Sequence, residues 1–392
     1  MTAMAGFSTW LLAAESRGPL PDGDFSPRKP PAWTMTGTDA AALRRDALRR
    51  AAVHVPPGFS SDVADRHDSR AASEIVVCRF LRAAPTGTSA KFDCVLDGGE
   101  VVKIKYGRNP EIQAEVAATR LVTALGFAAD DVEIVPRLRC YGCPRFPFIT
   151  MRLLAAGFPG SAIGEHGYDG GFTDFEWVAL ERKFPAPAIE TPARQGWAWW
   201  ELAESTAPRD EVDALRLLAI FLTHWDNKAD NQRLVCLDGL PAEAGSHKTG
   251  FVAASDLDVA SGLDVASGMS RQCDRPLAMI QDLGATFGPS KVNLARWREL
   301  PIWADRAGCR VSMRRLPFEG GTFPDAAISE EGRVRLGRRL AALSEAEVRG
   351  LFETARFHDY QSSTDDRRDL DAWTEAFRFR VDQILSAGPC PA

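Results

Sequence analysis

The chain has 392 residues, 45% of them hydrophobic and 26% charged, which is the balance of an ordinary globular protein with room for one large or two smaller cores. A net charge of -6 supplies no basic footprint for phosphate-rich polymers, so no nucleic-acid partner is expected. No apolar run reaches about 18 residues, so no transmembrane segment is expected either.

The first stretch, MTAMAGFSTWLLAA, has the apolar length of a signal peptide but no Lys or Arg before it, which makes it a weak export signal at best. Cytoplasmic location is the default expectation, with export (periplasmic or secreted) as the alternative. The eight cysteines (78, 94, 140, 143, 236, 273, 309 and 390) leave that choice open. An even number suits disulfides in an oxidising compartment, and free buried thiols are the other option. Residues 1–73 mix Pro, Gly and polar residues around one helical stretch, whose Leu43, Leu48 and Val53 form a thin apolar stripe. They are assigned as an N-terminal extension.

From residue 74 the pattern turns to strands: EIVVCRFL, then KFDCVLD, a Gly98-Gly99 turn, and EVVKIKYG. The spacing predicts a meander of three antiparallel strands. Cys78 and Cys94 lie on the first two, where they form either a cross-strand disulfide or two reduced thiols. A helix follows, with Ile112, Val116, Ala117, Leu121 and Leu125 at helical spacing and Gly126 closing it. Two more strand-like segments, DVEIVPRLRCYG and PFITMRLL, are expected to complete a small sheet. The single C-x-x-C of Cys140 and Cys143 lacks the second pair a zinc site needs, which favours packing or a disulfide with another cysteine.

Beyond residue 158 lies a Trp-rich segment with Trp197, Trp199 and Trp200, assigned to core or interdomain packing rather than a substrate platform. Val212, Leu215, Leu218, Ala219 and Leu222 then mark a buried helix. Residues 237–275 carry a tandem LDVASG and are expected to be an inserted flexible loop. SEAE at 344–347 fits a capping box, and Leu370, Trp373, Phe377, Val381 and Ile384 line a last helix.

The chemistry-bearing residues concentrate in FLTHWDNKADNQRLV, at 221–235. His224, Asp226 and Asn231 stand as H-x-D-x-x-x-x-N, with Lys228 two residues after the Asp. Downstream, AMIQDLGATF places Asp282-Leu283-Gly284 after a short apolar strand. One carboxylate and one carboxamide, with phosphate oxygens, make a sensible shell for a hard cation such as Mg2+. Upstream, Lys103 and Lys105 share one strand face, and Glu115 lies in the periodic part of the next helix. Gly87, Thr88 and Ser89 in APTGTSAKF form a small loop whose amides and hydroxyls could cap phosphates.

In order and context, these motifs resemble the protein-kinase-like superfamily over residues 74 to 300. The loop holds one glycine, no A-P-E follows Asp282, and a long segment separates Asn231 from Asp282. The resemblance is therefore to atypical branches: HipA-like, secretory-pathway or phosphatidylinositol-kinase-like. It implies an α+β, bilobal protein-kinase-like fold with a small antiparallel-sheet N-lobe (74–157) and a larger, mainly helical C-lobe (158–392). It also implies an ATP- and Mg2+-dependent phosphotransferase acting on a hydroxyl acceptor, whether protein, lipid or small molecule. Asp226 would orient or deprotonate the acceptor, and Lys228 would offset phosphate charge. Asn231 and Asp282 would hold the metal, and Lys105, with Lys103 in reserve, would pair with Glu115 on the phosphates. Met151 to Leu153 would meet adenine through backbone groups. A pseudokinase-type ATP-binding module and an AMP-transferring enzyme are the alternatives. His224 is expected to be structural.

Overall fold

The computed structural model describes residues 16–17, 19–28, 33–34, 39–56, 74–158, 171–238, 240, 272–359 and 369–391. The expected export signal and the tandem LDVASG lie outside them. In chain order the strands are β1 (Ser16–Arg17), β2 (Trp33–Thr34), β3 (Ile75–Leu81), β4 (Lys91–Leu96), β5 (Val101–Lys105) and β6 (Asp131–Tyr141). They continue with β7 (Gly171–Arg182), β8 (Ile189–Glu190), β9 (Gln232–Cys236), β10 (Pro276–Ile280), β11 (Arg310–Val311) and β12 (Ala326–Ala327). The helices are α1 (Ala40–Arg50), α2 (Pro110–Ala124), α3 (Pro147–Ala155), α4 (Trp199–Leu202) and α5 (Arg209–Leu222). After them come α6 (Leu294–Glu299), α7 (Glu330–Ala342), α8 (Glu345–Thr354) and α9 (Leu370–Leu385).

The expected meander forms, β3 pairing antiparallel with β4 and β4 with β5. Gly98 and Gly99 both have positive φ in the β4–β5 turn, where a Cβ would be strained. Beyond that, the sheet departs from the bilobal, kinase-like expectation. β5 pairs with β7, β7 with β6, and β6 runs parallel to β3, so five strands close into a barrel instead of an open antiparallel sheet. The closing strand, β7, comes from sequence that the bilobal assignment gave to the helical lobe. Closure leaves the five strands without a free long edge. Inside the barrel lie Phe92, Cys94, Val102, Ile104, Val178 and Leu180. The odd-numbered residues of β4 and β5 consequently face outward.

The rest of the molecule contradicts two lobes as well. One continuous apolar core takes Leu48 and Val53 near α1, Ile112, Val116 and Leu121 of α2, Leu215 and Leu222 of α5, and Trp373 and Phe377 of α9. The helix expected to belong to a small lobe is thus buried among the C-terminal helices. Trp197 and Trp199 are in this core, whereas Trp200 is exposed. The fold stays α+β, but it is a barrel joined to a helical body through shared packing.

PFITMRLL is a helix, not a strand: Pro147 stands at its first position, where a missing N–H does no harm. Phe148 and Met151, three apart, are buried while Ile149 is exposed, a helical rather than alternating pattern. All eight cysteines are paired, as Cys78–Cys94, Cys140–Cys143, Cys236–Cys273 and Cys309–Cys390. The C-x-x-C residues therefore bond to each other, not to another cysteine. Cys78 faces Leu96 in the ladder and Cys94 faces Phe80, so that bridge crosses diagonally. The capping box forms at Ser344 and Glu347, and Leu370, Trp373, Phe377, Val381 and Ile384 are buried along α9.

Candidate phosphoryl-transfer site

Lys105 ends β5 on the outer wall of the barrel, and α2 packs across that wall. Its Nζ lies 2.5 Å from both Glu115 oxygens, 3.3 Å from Glu181 Oε2 and 3.5 Å from Asp282 Oδ1. Lys103 instead bonds Glu181 at 3.0 Å, so Lys105 is the lysine that meets Glu115 and Asp282. Glu115 and Glu181 are both buried.

The charges settle unequally. Burial works against the Lys105 ammonium, but Glu115, Glu181 and Asp282 around it hold its pKa well above the usual lysine value. Burial pushes the Glu115 carboxyl up, because Lys105 is shared with Glu181 and cannot fully compensate both. Burial acts upward on Glu181 too, yet Lys103, Lys183 and Lys105 outweigh it and keep this carboxylate well below its ordinary range. Burial likewise opposes ionisation of Asp282, and Lys105 more than offsets it, leaving the carboxyl low. Asp282 is thus a charged carboxylate with its side chain 48% exposed, in contrast to the closed Lys105–Glu115 pair.

Helix α5 ends at Thr223, which adopts a left-handed φ of 57° and caps the turn. Its hydroxyl bonds Gly288 from both sides, accepting from the amide at 3.0 Å and donating to the carbonyl at 3.1 Å. Asn227, fully buried, then pins the loop. Its Nδ2 donates to the carbonyls of His224 and Trp225, and its Oδ1 accepts from the amides of Thr322 and Phe323. From the other side, Gly196 comes so close that a Cβ there would stand 2.0 Å from the Ala229 carbonyl oxygen. The loop is therefore clamped between two distant segments.

On this clamped loop, Asn231 Nδ2 donates to the Asp226 carbonyl at 2.7 Å, while its Oδ1 has no partner among the described residues. The Asn231 carbonyl accepts from the Gln281 amide at 3.2 Å, beside the β9–β10 ladder, so Asn231 and Asp282 flank one ladder end. Asp282 has a positive φ of 54°, a strained conformation for a residue with a Cβ and one that gathers at functional sites. Two residues on, a Cβ at Gly284 would approach Glu111 Cβ to 3.1 Å, a tight contact that glycine avoids at the start of α2. Asp226 is partly exposed and receives Lys228 Nζ at 3.1 Å. His224 is fully buried, and burial pushes its pKa down to about 4 despite Asp282 and Asp226 nearby. Neither ring nitrogen has a hydrogen-bond partner among the described residues. A neutral imidazole held in that setting is structural.

No known protein family, curated protein or solved structure matches this chain. Its chemistry has to be read from the side chains themselves. Asp226, Lys228, Asn231 and Asp282 sit on or beside the clamped loop, and Lys105 with Glu115 reach Asp282 across from the barrel. The Asp282 carboxylate and the Asn231 carboxamide, on residues that flank one ladder end, are of the hard-oxygen kind that Mg2+ prefers. A buried lysine that its neighbouring carboxylates hold in the charged form, 3.5 Å from Asp282, is of the kind that takes phosphate oxygens.

The remaining expected contacts differ. Gly87 turns with φ +73°, and it and Thr88 are exposed at the loop tip. Ser89, however, gives its hydroxyl to Glu111 and is committed to holding the loop on α2. Met151 and Leu153 lie in α3, with Met151 in the barrel core and the Leu153 carbonyl bonded to the Phe158 amide. A helix interior uses its own backbone groups, so this segment cannot present a strand-like edge to adenine. Glu181, Asn227 and Lys91 were not singled out from sequence. Lys91 could have been found by extending the strand register from Lys105, since the two face each other across the β4–β5 ladder. Glu181 had no signal, because nothing local tells that β7 returns to pair with β5.

Proposed function

We propose that the chain is an ATP- and Mg2+-dependent phosphotransferase acting on a hydroxyl-bearing acceptor. The observation that carries this reading is the meeting of Lys105 with Glu115 on the next helix, at 2.5 Å, and with Asp282, 177 residues further along the chain, at 3.5 Å. Asn231 Oδ1 and the Asp282 carboxylate would hold Mg2+, which supplies charge neutralisation on the phosphate oxygens. Lys105, kept charged by its carboxylates and oriented by Glu115, holds the phosphate tail. Asp226 accepts the proton of the acceptor hydroxyl as its oxygen attacks the terminal phosphorus. The bond from that phosphorus to the bridging oxygen breaks, and ADP leaves. Lys228, already at the Asp226 carboxylate, offsets charge on the transferred group. The four disulfides support an oxidising, exported setting, because such bonds persist where thiols are not kept reduced. Among the described residues no helix is long and apolar enough to cross a membrane.

Thermal denaturation with and without Mg-ATP tests the reading on wild type and Asp282→Asn. Wild type should gain about 2.7 kcal/mol of stability at a hundredfold excess over Kd, and the variant should lose the Mg2+-dependent part. Equal shifts in the two proteins, or none in either, would sink the proposal. If binding is found, the mass added to an acceptor separates phosphoryl transfer from AMP transfer, and binding without turnover marks a pseudokinase.

A further inference from the structure

Lys91 opens β4 directly opposite Lys105, with Asp93 opposite Lys103 one step further along. Alternation puts all four on the outer face of the barrel wall, the face that carries the Lys105–Glu115 pair. The three lysines are not in equivalent surroundings. Lys103 has Glu181 and Lys105 has Glu115, Glu181 and Asp282, whereas Lys91 makes no ion pair or hydrogen bond among the described residues. It is nevertheless partly withdrawn from water. Burial lowers its pKa, Lys103 and Lys105 add to that, and Asp282 and Glu181 act in the other direction.

Its position is defined by the turn beside it. A Cβ built on Gly87 would lie 3.2 Å from Lys91 Nζ, so the ammonium sits directly against the turn that Gly87 makes with its positive φ. A partly buried ammonium with no ion pair among the described residues gains from an anion that joins it. The neighbouring backbone has no side chain at Gly87 to exclude that anion.

We propose that Lys91 is a second phosphate-binding lysine, gripping the polyphosphate tail of the nucleotide against the Gly87 turn while Lys105 holds it from the adjacent strand. This rests on the nucleotide reading above and adds to it a preference: two cations on neighbouring strands select a polyphosphate over a monophosphate. Truncating one charge-assisted contact should weaken binding roughly ten- to a hundredfold.

Calorimetric titration of the full chain with Mg-ATP, Mg-ADP, inorganic triphosphate and AMP tests it, on wild type, Lys91→Met, Lys91→Arg and Asp282→Asn. Methionine keeps the packed stem of the lysine and removes only the charge. Lys91→Met should bind Mg-ATP and triphosphate roughly ten- to a hundredfold more weakly, change AMP binding little, and melt no lower than wild type without ligand. Lys91→Arg should recover most of the loss. If Lys91→Met binds Mg-ATP within about twofold of wild type while Asp282→Asn does not, the nucleotide site stands and the role of Lys91 falls. If wild type binds none of the polyphosphates, both fall. An equal loss for AMP and ATP overturns the role too, since it would place Lys91 away from the distal phosphates.

Discussion

Lys105→Met tests the electrostatic design of the site without any ligand. In the folded chain its ammonium serves two carboxylates that are almost out of water, Glu115 at 2% exposure and Glu181 at 3%. Removing one partner of a buried pair typically destabilises by ~3–5 kcal/mol, because the other charge is stranded. Glu181 keeps Lys103 and Lys183, so the stranded group is Glu115. Burial already pushes that carboxyl up to about 7, and the loss of Lys105 raises it further above its ordinary 4.5. A carboxyl whose folded pKa is raised favours folding most below its unfolded value, and that contribution is lost as pH rises toward the folded value. The Lys105→Met defect should therefore be about 3 kcal/mol or more at pH 8 and below about 1 kcal/mol near pH 5. Urea denaturation of wild type, Lys105→Met and Lys105→Met/Glu115→Gln at both pH values measures it. The double variant should recover about 1–2 kcal/mol at pH 8, since a neutral amide replaces the stranded carboxylate. A defect that does not change with pH, or no recovery in the double variant, would refute the assignment of Glu115 as the counter-charge.

Two further outcomes follow from the loop. His224 has a folded pKa of about 4 against an ordinary 6.5, so its contribution is intact above pH 6.5 and lost as pH falls through 4. The shift is worth up to about 3 kcal/mol; stability curves of wild type and His224→Gln should converge below pH 4 and separate above 6.5, and parallel curves would contradict a buried neutral imidazole. Asn227→Ala leaves the Thr322 and Phe323 amides unpaired, which should destabilise by about 2–4 kcal/mol. It should also weaken the thermal response to Mg-ATP, because Asp226, Lys228 and Asn231 lose their clamp; a variant that unfolds more easily but binds with unchanged Kd would separate the clamp from the site.

Much of the local structure was legible because it rests on short-range physics. The β3–β5 meander needs only alternation and a Gly-Gly turn, α2 needs only its apolar spacing, and the Ser344–Glu347 box needs only two residues at the right distance. PFITMRLL was the local failure: an apolar run that short suits either strand or helix, and Pro147 at its start decided for a helix. Glu115 was also readable, since it lies in the apolar-periodic part of α2, among residues that are buried. Glu111 instead receives the Ser89 hydroxyl at the start of α2.

Sequence alone determined which residues are candidates for the chemistry. Asp226, Lys228, Asn231, Asp282, Lys105 and Glu115 stand out by type, order and spacing, and no change of architecture alters what a carboxylate or an ammonium can do. Only the tertiary structure decided how they are assembled. Closing the barrel takes a parallel pairing of β3 with β6 and the return of β7 to β5, contacts between segments with no shared local pattern. Those same long-range contacts bring Glu181 to Lys105, pair the cysteines and leave Lys91 beside Gly87 with no ion pair among the described residues. Periodicity reports on neighbours within a strand or helix, whereas closure and charge pairing depend on which distant faces share one core.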